Sequence, residues 1–254
     1  MIVNLELTMD SRNPFATGQD RRMRLAQSSV ATFASQVYTW LTAGLGITAV
    51  LAFLCYQNNW YISLAPWAMP ISLGALGVSL VVSAGINRIS YMTAAALFIS
   101  YSLLQGLMFG IILPLFAMQY GGDVIWVSFA TASALFATAS LYGRWTKSDL
   151  TEVSKLLNFG VLALFVISLV FMIMSFFMQL RGMDLIIAYG GLIIFVGLIV
   201  TDSQKIRQLS EEVGMQTESS QKMALLAALG MYINVIMVFW YLLRIFANAR
   251  DSNR

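Results

Sequence analysis

The chain has 254 residues, 59% of them hydrophobic and only 11% charged, with a formal net charge of +3. Soluble domains carry about 25% charged residues, so this composition and a mean hydropathy of +0.75 point to an integral membrane protein whose first partner is the lipid bilayer. No basic patch is interleaved with aromatics, so nucleic acid is not an expected partner. With no histidine in the chain, Ser-His and Cys-His nucleophiles, His-ligated zinc or iron and a histidine proton shuttle are all excluded. The single cysteine, Cys55, lies inside an apolar run, cannot form an intrachain disulfide and reads as a small packing residue.

The first 36 residues are mostly polar and are expected to form a cytoplasmic tail without a cleavable signal peptide. Seven apolar segments follow, at about Val37–Tyr56, Leu64–Ile86, Met92–Phe116, Val124–Tyr142, Leu156–Met178, Leu185–Thr201 and Met223–Ala247. Each approaches the ~20 residues a span needs, and none alternates with the period of two that a membrane strand shows. Helices and closed barrels alone satisfy their own backbone in lipid, so the expected fold is an all-α, seven-helix transmembrane domain over residues 37–247, with a short polar C-terminal tail at 248–254. Pro114 should bend or end the third helix, while Pro66 and Pro70 sit near the start of the second, where proline is tolerated. The sixth segment is the shortest, and its helix has room to continue through Asp202 into the polar stretch from Ser203 to Lys222. That stretch reads as a solvated helix extension and loop, with partner docking as the less favoured reading.

Lysine and arginine set the orientation. Arg12, Arg21, Arg22 and Arg24 precede the first segment. Arg88, the group Arg144, Lys147 and Lys155, and the group Lys205, Arg207 and Lys222 follow the second, fourth and sixth, whereas the opposite loops hold only Arg181. The positive-inside rule places the N-terminus in the cytoplasm. Seven crossings then put the C-terminus outside, although Arg244, Arg250 and Arg254 lie there. Either a late segment overrides the bias or the seventh does not fully cross, and seven full crossings are the preferred reading.

Gly44-Leu45-Gly46-Ile47-Thr48-Ala49 matches a dinucleotide-binding pattern, but inside a membrane helix it lacks the strand that pattern needs. Close helix packing is the expected role, as for Gly106 and Gly110 in the third segment and Gly190, Gly191 and Gly197 in the sixth. Methionine and phenylalanine are read as core and lipid-facing filler. The polar residues in or beside the spans are few: Arg88, Gln105, Asn158, Gln179, Asp202, Asn234 and Arg244. Asp202 stands out because an ionisable group at a span is costly and calls for a named partner. On topology alone it reads equally well as an interfacial carboxylate, Arg88 as an inside-positive anchor and Asn234 as an interhelical hydrogen-bond clip. Asn234 lies about 16 Å along the seventh helix from Met223 at 1.5 Å per residue. It therefore meets Asp202 only if the seventh helix begins beyond the end of the sixth, or if the sixth is set deep.

In Gln36-Val37-Tyr38 with the glycine-rich first segment, Tyr142-Gly143, Thr146-Lys147, Asp149-Leu150, Asp202-Ser203-Gln204-Lys205-Ile206 and Tyr232 through Leu242-Leu243-Arg244-Ile245-Phe246, the chain resembles the Bax inhibitor-1 family, especially its bacterial members. The resemblance covers nearly everything after the N-terminal tail. It implies a bacterial inner-membrane protein in which a central seventh helix is wrapped by helices 1–3 and 4–6. It also implies a pH-sensitive calcium leak, closed near its cytoplasmic end by two aspartates on helices six and seven that an arginine after helix two can engage. Asp202 matches the first aspartate and Arg88 falls at the arginine's place. Asn234 stands at the second aspartate: this chain reads Tyr232-Ile233-Asn234-Val235.

Two close carboxylates share a proton and form a natural pH switch, whereas an amide cannot titrate and donates permanently. The expectation is therefore a cation leak, calcium being the expected ion, in which Asp202 pairs with Arg88 and Asn234 as a constitutive latch whose pH response near neutrality is weak. Calcium favours several oxygen ligands, so Asp202 makes at best a weak calcium site, suited to a conduit. No cofactor is expected beyond the permeant ion. The alternative function is a non-conducting regulator that binds other membrane proteins, such as a quality-control protease. An intramembrane enzyme is disfavoured, since no nucleophile has an evident base.

Overall fold

The computed structural model describes residues 18–86, 88–175, 183–212 and 217–252, with side chains described from Phe33 onward except at Met172, Ser175 and Glu212. Arg12, Gln179, Arg181 and Arg254 lie outside the described residues, and the side chains of Arg21, Arg22 and Arg24 are likewise not described.

The helices are α1 (Gly18–Gln57), α2 (Trp60–Leu64), α3 (Ala68–Gly85), α4 (Tyr91–Tyr120), α5 (Gly122–Trp145), α6 (Thr151–Ser175), α7 (Met183–Glu212) and α8 (Glu218–Asp251), with a 3-10 turn at Ala65–Trp67 between α2 and α3. Seven stretches are long and apolar enough to cross a membrane: Phe33–Gln57, Trp60–Gly85, Tyr91–Tyr120, Gly122–Trp145, Thr151–Phe171, Met183–Glu211 and Glu218–Asp251. The count matches the sequence reading, while most boundaries move by several residues. The second span starts earlier, at Trp60, and Pro66 divides it, because a proline removes one backbone donor and crowds the preceding turn. The sixth helix runs on past Asp202 to Glu212. Pro114 is buried inside α4, which continues to Tyr120. The α4–α5 connection turns on Gly121, whose φ of +93° is a conformation that only glycine adopts without strain.

Helix α8 is the axis of the bundle. It packs against α1, α4, α5 and α7, which are the first, third, fourth and sixth spans. The second span lies outside against the third, and the fifth against the sixth. Half of the most apolar stretch of α8 is buried, compared with 6% for the fifth span. The outer helices instead present Leu162, Phe165, Leu73 and Leu80 to the surroundings, as lipid-facing positions should. Aromatic edges line the axis. Tyr232 meets Phe98 and Tyr101 in T-shaped contacts, with ring centres 6.0 and 5.5 Å apart, and Phe109 meets Phe239 at 5.5 Å.

Glycine sets how closely the first and third spans approach, as the sequence suggested. A Cβ on Gly106 would stand 2.9 Å from Leu51 Cβ, and one on Gly110 would stand 2.5 Å from Cys55 Cβ. Cys55 is fully buried at that contact, which accounts for a small side chain there. Gly44 faces the Phe98 ring at 2.8 Å by the same construction, while Gly46 has open space. The Gly44–Ala49 stretch is thus a helix surface. Without a hydrophobic driving force between helices in lipid, such close packing is a main source of association.

Overpacking a tight site costs about 1–3 kcal/mol. We therefore expect Gly110→Ala to lower the thermal midpoint of the detergent-solubilised protein by several degrees, and Gly46→Ala to leave it unchanged or slightly higher. Parallel melting curves check the contrast.

Candidate functional site at the helix six and seven interface

Asp202 lies on α7 ten residues before its last residue, and Asn234 lies near the middle of α8. The structure brings them together: Asn234 Nδ2 donates to Asp202 Oδ2 at 2.8 Å. Asn234 is 5% exposed, whereas the Asp202 side chain keeps 24% of its surface. The register works because α8 begins beyond the end of α7. From Glu218 to Asn234 is about 24 Å of axis, and from Asp202 to Glu212 about 15 Å, at 1.5 Å per residue. Gly230, one turn before Asn234, faces the same carboxylate, with 4.0 Å between its virtual Cβ and Asp202 Oδ2. A small residue there leaves the carboxylate room beside the axis.

The charged partner of Asp202 is Lys205, whose Nζ is 3.4 Å from Oδ1. This residue was not singled out from the sequence, although its i,i+3 spacing on a helix is a recognisable pairing signal. Lys205 is about half exposed, so the pair contributes little to stability on its own. Arg88 takes a different position from the expected latch. It is exposed, just before α4. Two residues past it in that same connection α4 is capped by Ser90, whose hydroxyl accepts from Thr93 N. The first α4 residue, Tyr91, donates its backbone N–H to Glu218 at the very start of α8. About 24 Å of helix axis separates that level from Asn234, more than an arginine side chain covers. Asp202 and Asn234 are hydrogen-bonded, and among the described residues Arg88 makes no ion pair.

The residues after Asp202 hold the connection between the fourth and fifth spans. Gln204 donates to Ser148 O at 2.7 Å and accepts from Leu150 N at 3.0 Å. Arg207 donates to Arg144 O at 2.6 Å and to Thr146 O at 3.2 Å, which satisfies carbonyls at the end of α5 that have no helical partner. Ser203 donates to Ser140 at 3.1 Å, and Ser140 lies 3.3 Å from the Tyr38 hydroxyl. Gly143 permits the contact, since a Cβ there would stand 2.2 Å from Val200 O. In the turn leading into α6, Asp149 accepts from the hydroxyl and the backbone N–H of Thr151. The Thr151 hydroxyl, then its N–H, holds the Asp149 carboxyl below the usual carboxylate range. A lowered folded value means that this contribution is complete above the ordinary carboxylate pKa and is lost only as pH falls through the lowered one.

At the far end of the bundle, Arg244 pairs with Asp184 at the start of α7, and Arg250 pairs with Asp123 at the start of α5. These are two of the three arginines that opposed the orientation rule. Each is matched by a carboxylate, and α8 runs the full length of the bundle between its two ends.

A family model described as inhibitor of apoptosis-promoting Bax1 matches residues 30–251. The chain belongs to the Bax inhibitor-1 family. An uncharacterised protein of Chlamydia muridarum is 43% identical over 223 residues, covering 88% of this chain and 93% of the relative. A second, from Deinococcus radiodurans, is 33% identical over 223 residues, covering 87% and 92%. The inner membrane protein YbhL of Escherichia coli K12 is 30% identical over 229 residues, covering 88% and 94%. This Bax inhibitor-1 family chain is therefore an integral inner-membrane protein, as YbhL is, and none of these three names states a catalytic activity. The family stretches quoted from the sequence, 142–150 and 202–206, touch each other through Gln204 and Gly143.

Each net intramolecular hydrogen bond contributes about 0.5–1.5 kcal/mol, so Gln204→Ala should destabilise by about 1–3 kcal/mol in total. Hydrogen exchange localises the effect: residues 146–150 should exchange faster, while α8 keeps its protection.

Proposed function

We propose that the protein is a cation leak of the inner membrane, with calcium as the permeant ion, and that Asp202 and Asn234 form its closing contact. The supporting observation is the hydrogen bond from a nearly buried amide to a carboxylate that keeps contact with its surroundings, inside a span. An ionisable group in a membrane segment is costly and marks an ion pathway more often than a packing site. One carboxylate with an amide beside it offers too few oxygens for tight calcium binding, which suits passage. Among the described residues no group of three or more acidic or thiol side chains is arranged to hold a metal ion.

The amide has no proton to lose, so the closing contact lacks the shared proton of two paired acids. Where two acids would share a proton and part as it leaves, Asn234 donates to Asp202 at any pH at which the carboxylate is ionised. A hydrogen bond to a charged group contributes about 1.5–3 kcal/mol, enough to hold the contact closed most of the time. The proposed orientation is N-terminus in the cytoplasm and C-terminus outside, which puts Lys205 on the cytoplasmic side of the contact. Arg88 lies at that same end, one helix connection away.

Calcium flux in proteoliposomes between pH 6 and 8 tests the reading. Wild type should respond little to pH, Asn234→Asp should gain a steep response, and Asp202→Asn should raise the basal leak about tenfold or more. Lys205→Gln should raise it less, and Arg88→Gln less still. A steep response in wild type removes the latch. Absence of flux from folded protein removes the leak, and favours the regulator that docks on other membrane proteins. Reporter fusions at the two termini check orientation: an enzyme active only outside the cytoplasm should work at the C-terminus and fail at the N-terminus.

A further inference from the structure

At the end of the bundle that carries Lys205 and Arg207, a cavity of about 350 Å³ opens between the first, fourth and sixth spans, with Tyr38, Arg144 and Arg207 among its walls. A second, more open cavity of about 530 Å³ shares Ser35 and Tyr38 with it and runs along the first span past Thr39 to Thr42 and Ala43. Together they form one groove with a basic head and a tail that descends the membrane-facing side of α1.

The head is cationic and uncompensated. The Arg144 guanidinium lies 5.4 Å from the centre of the Tyr38 ring. Arg207 spends two of its five N–H donors on the carbonyls of Arg144 and Thr146. No carboxylate among the described residues pairs with either arginine, although Glu211 is four positions beyond Arg207 on the same helix.

The tail is apolar in effect. The Thr42 hydroxyl donates to Tyr38 O at 2.8 Å, which satisfies it within its own helix. The small exposed positions continue through Gly46 and Ala49 until Val50 and Phe53 stand out from the helix. A tyrosine between a charged head and an apolar tail is the arrangement of a membrane interface. Basic pockets between spans select anionic headgroups.

We propose that this groove holds one anionic phospholipid, its phosphate between Arg144 and Arg207 and one acyl chain along Thr39, Thr42 and Ala43. The site is independent of whether the protein conducts ions.

The full-length protein in a zwitterionic detergent, given equal amounts of phosphatidylglycerol and phosphatidylcholine, supplies the test, with bound lipid counted by native mass spectrometry. Wild type should retain one phosphatidylglycerol preferentially. Arg144→Gln should cut that preference about fivefold, the share of one basic residue near an anionic headgroup, and Arg144→Lys should restore most of it. Ala43→Phe, which fills the tail and leaves both arginines, should reduce retention of either lipid. Unchanged preference in Arg144→Gln overturns the site. So does displacement of the lipid by soluble glycerol phosphate at equal concentration, which would reduce the site to an anion pocket. A change of oligomeric state in Ala43→Phe with lipid retention intact also overturns it, because the groove is then a contact between copies.

Discussion

Helix α8 is enclosed by other helices, and polar contacts with protein tie it at several levels, since lipid supplies no partner. Glu218 accepts from Tyr91 N at one end, and Arg244 and Arg250 meet Asp184 and Asp123 at the other. Between them, Tyr232 and Thr48 share a hydroxyl contact of 2.5 Å, and Asn234 donates to Asp202. Thr48 also donates toward the carbonyls of Gly44 and Ser102, so the first, third and seventh spans meet at one buried polar point. These contacts fix the rotation of α8 about its own axis, which apolar packing alone would leave loosely specified. The rotation in turn decides which side chain faces Asp202.

Hydropathy reads the solvent a segment prefers, so the seven spans and their order were legible, and the small residues at Gly106, Gly110 and Cys55 betrayed where two helices touch. The meeting of Asp202 with Asn234 followed from matching family stretches, given a seventh helix that starts beyond the sixth. What stayed hidden were relations between helices that share no pattern. The ion pairs of Arg244 and Arg250 join residues roughly 60 and 127 positions apart in sequence, and a count of loop charges cannot see that such charges are matched. Arg88 is exposed just before α4, and sequence distance to a helix start says nothing of how far a partner residue lies along it. Lys205 was overlooked in favour of the remote arginine although it lies on the next turn from Asp202.

Asn234 is an amide of nearly the shape of an aspartate, at the position where the resemblance leads one to expect a second carboxylate. Its side chain reaches Asp202, and the contact holds one acid. The environment in which two acids would share a proton here surrounds an amide donor and a single carboxyl group. Membership of the family, spanning residues 30–251, accounts for the scaffold, and Asn234 is the position at which this chain departs from the pattern its sequence resembles.

The absence of a side chain at Gly143 reaches further than local packing. Its Cα lies against the Val200 carbonyl, and Gln204 and Arg207 bind the segment that follows it. The fourth and sixth spans are therefore joined backbone to backbone, directly beside Asp202. With α8 tied to Asp184 and Asp123 at its far end, the sixth and fourth spans are pinned to the axis there and to each other beside Asp202, so the two ends of the bundle are held by different kinds of contact: ion pairs to the axial helix at one, backbone against backbone around it at the other.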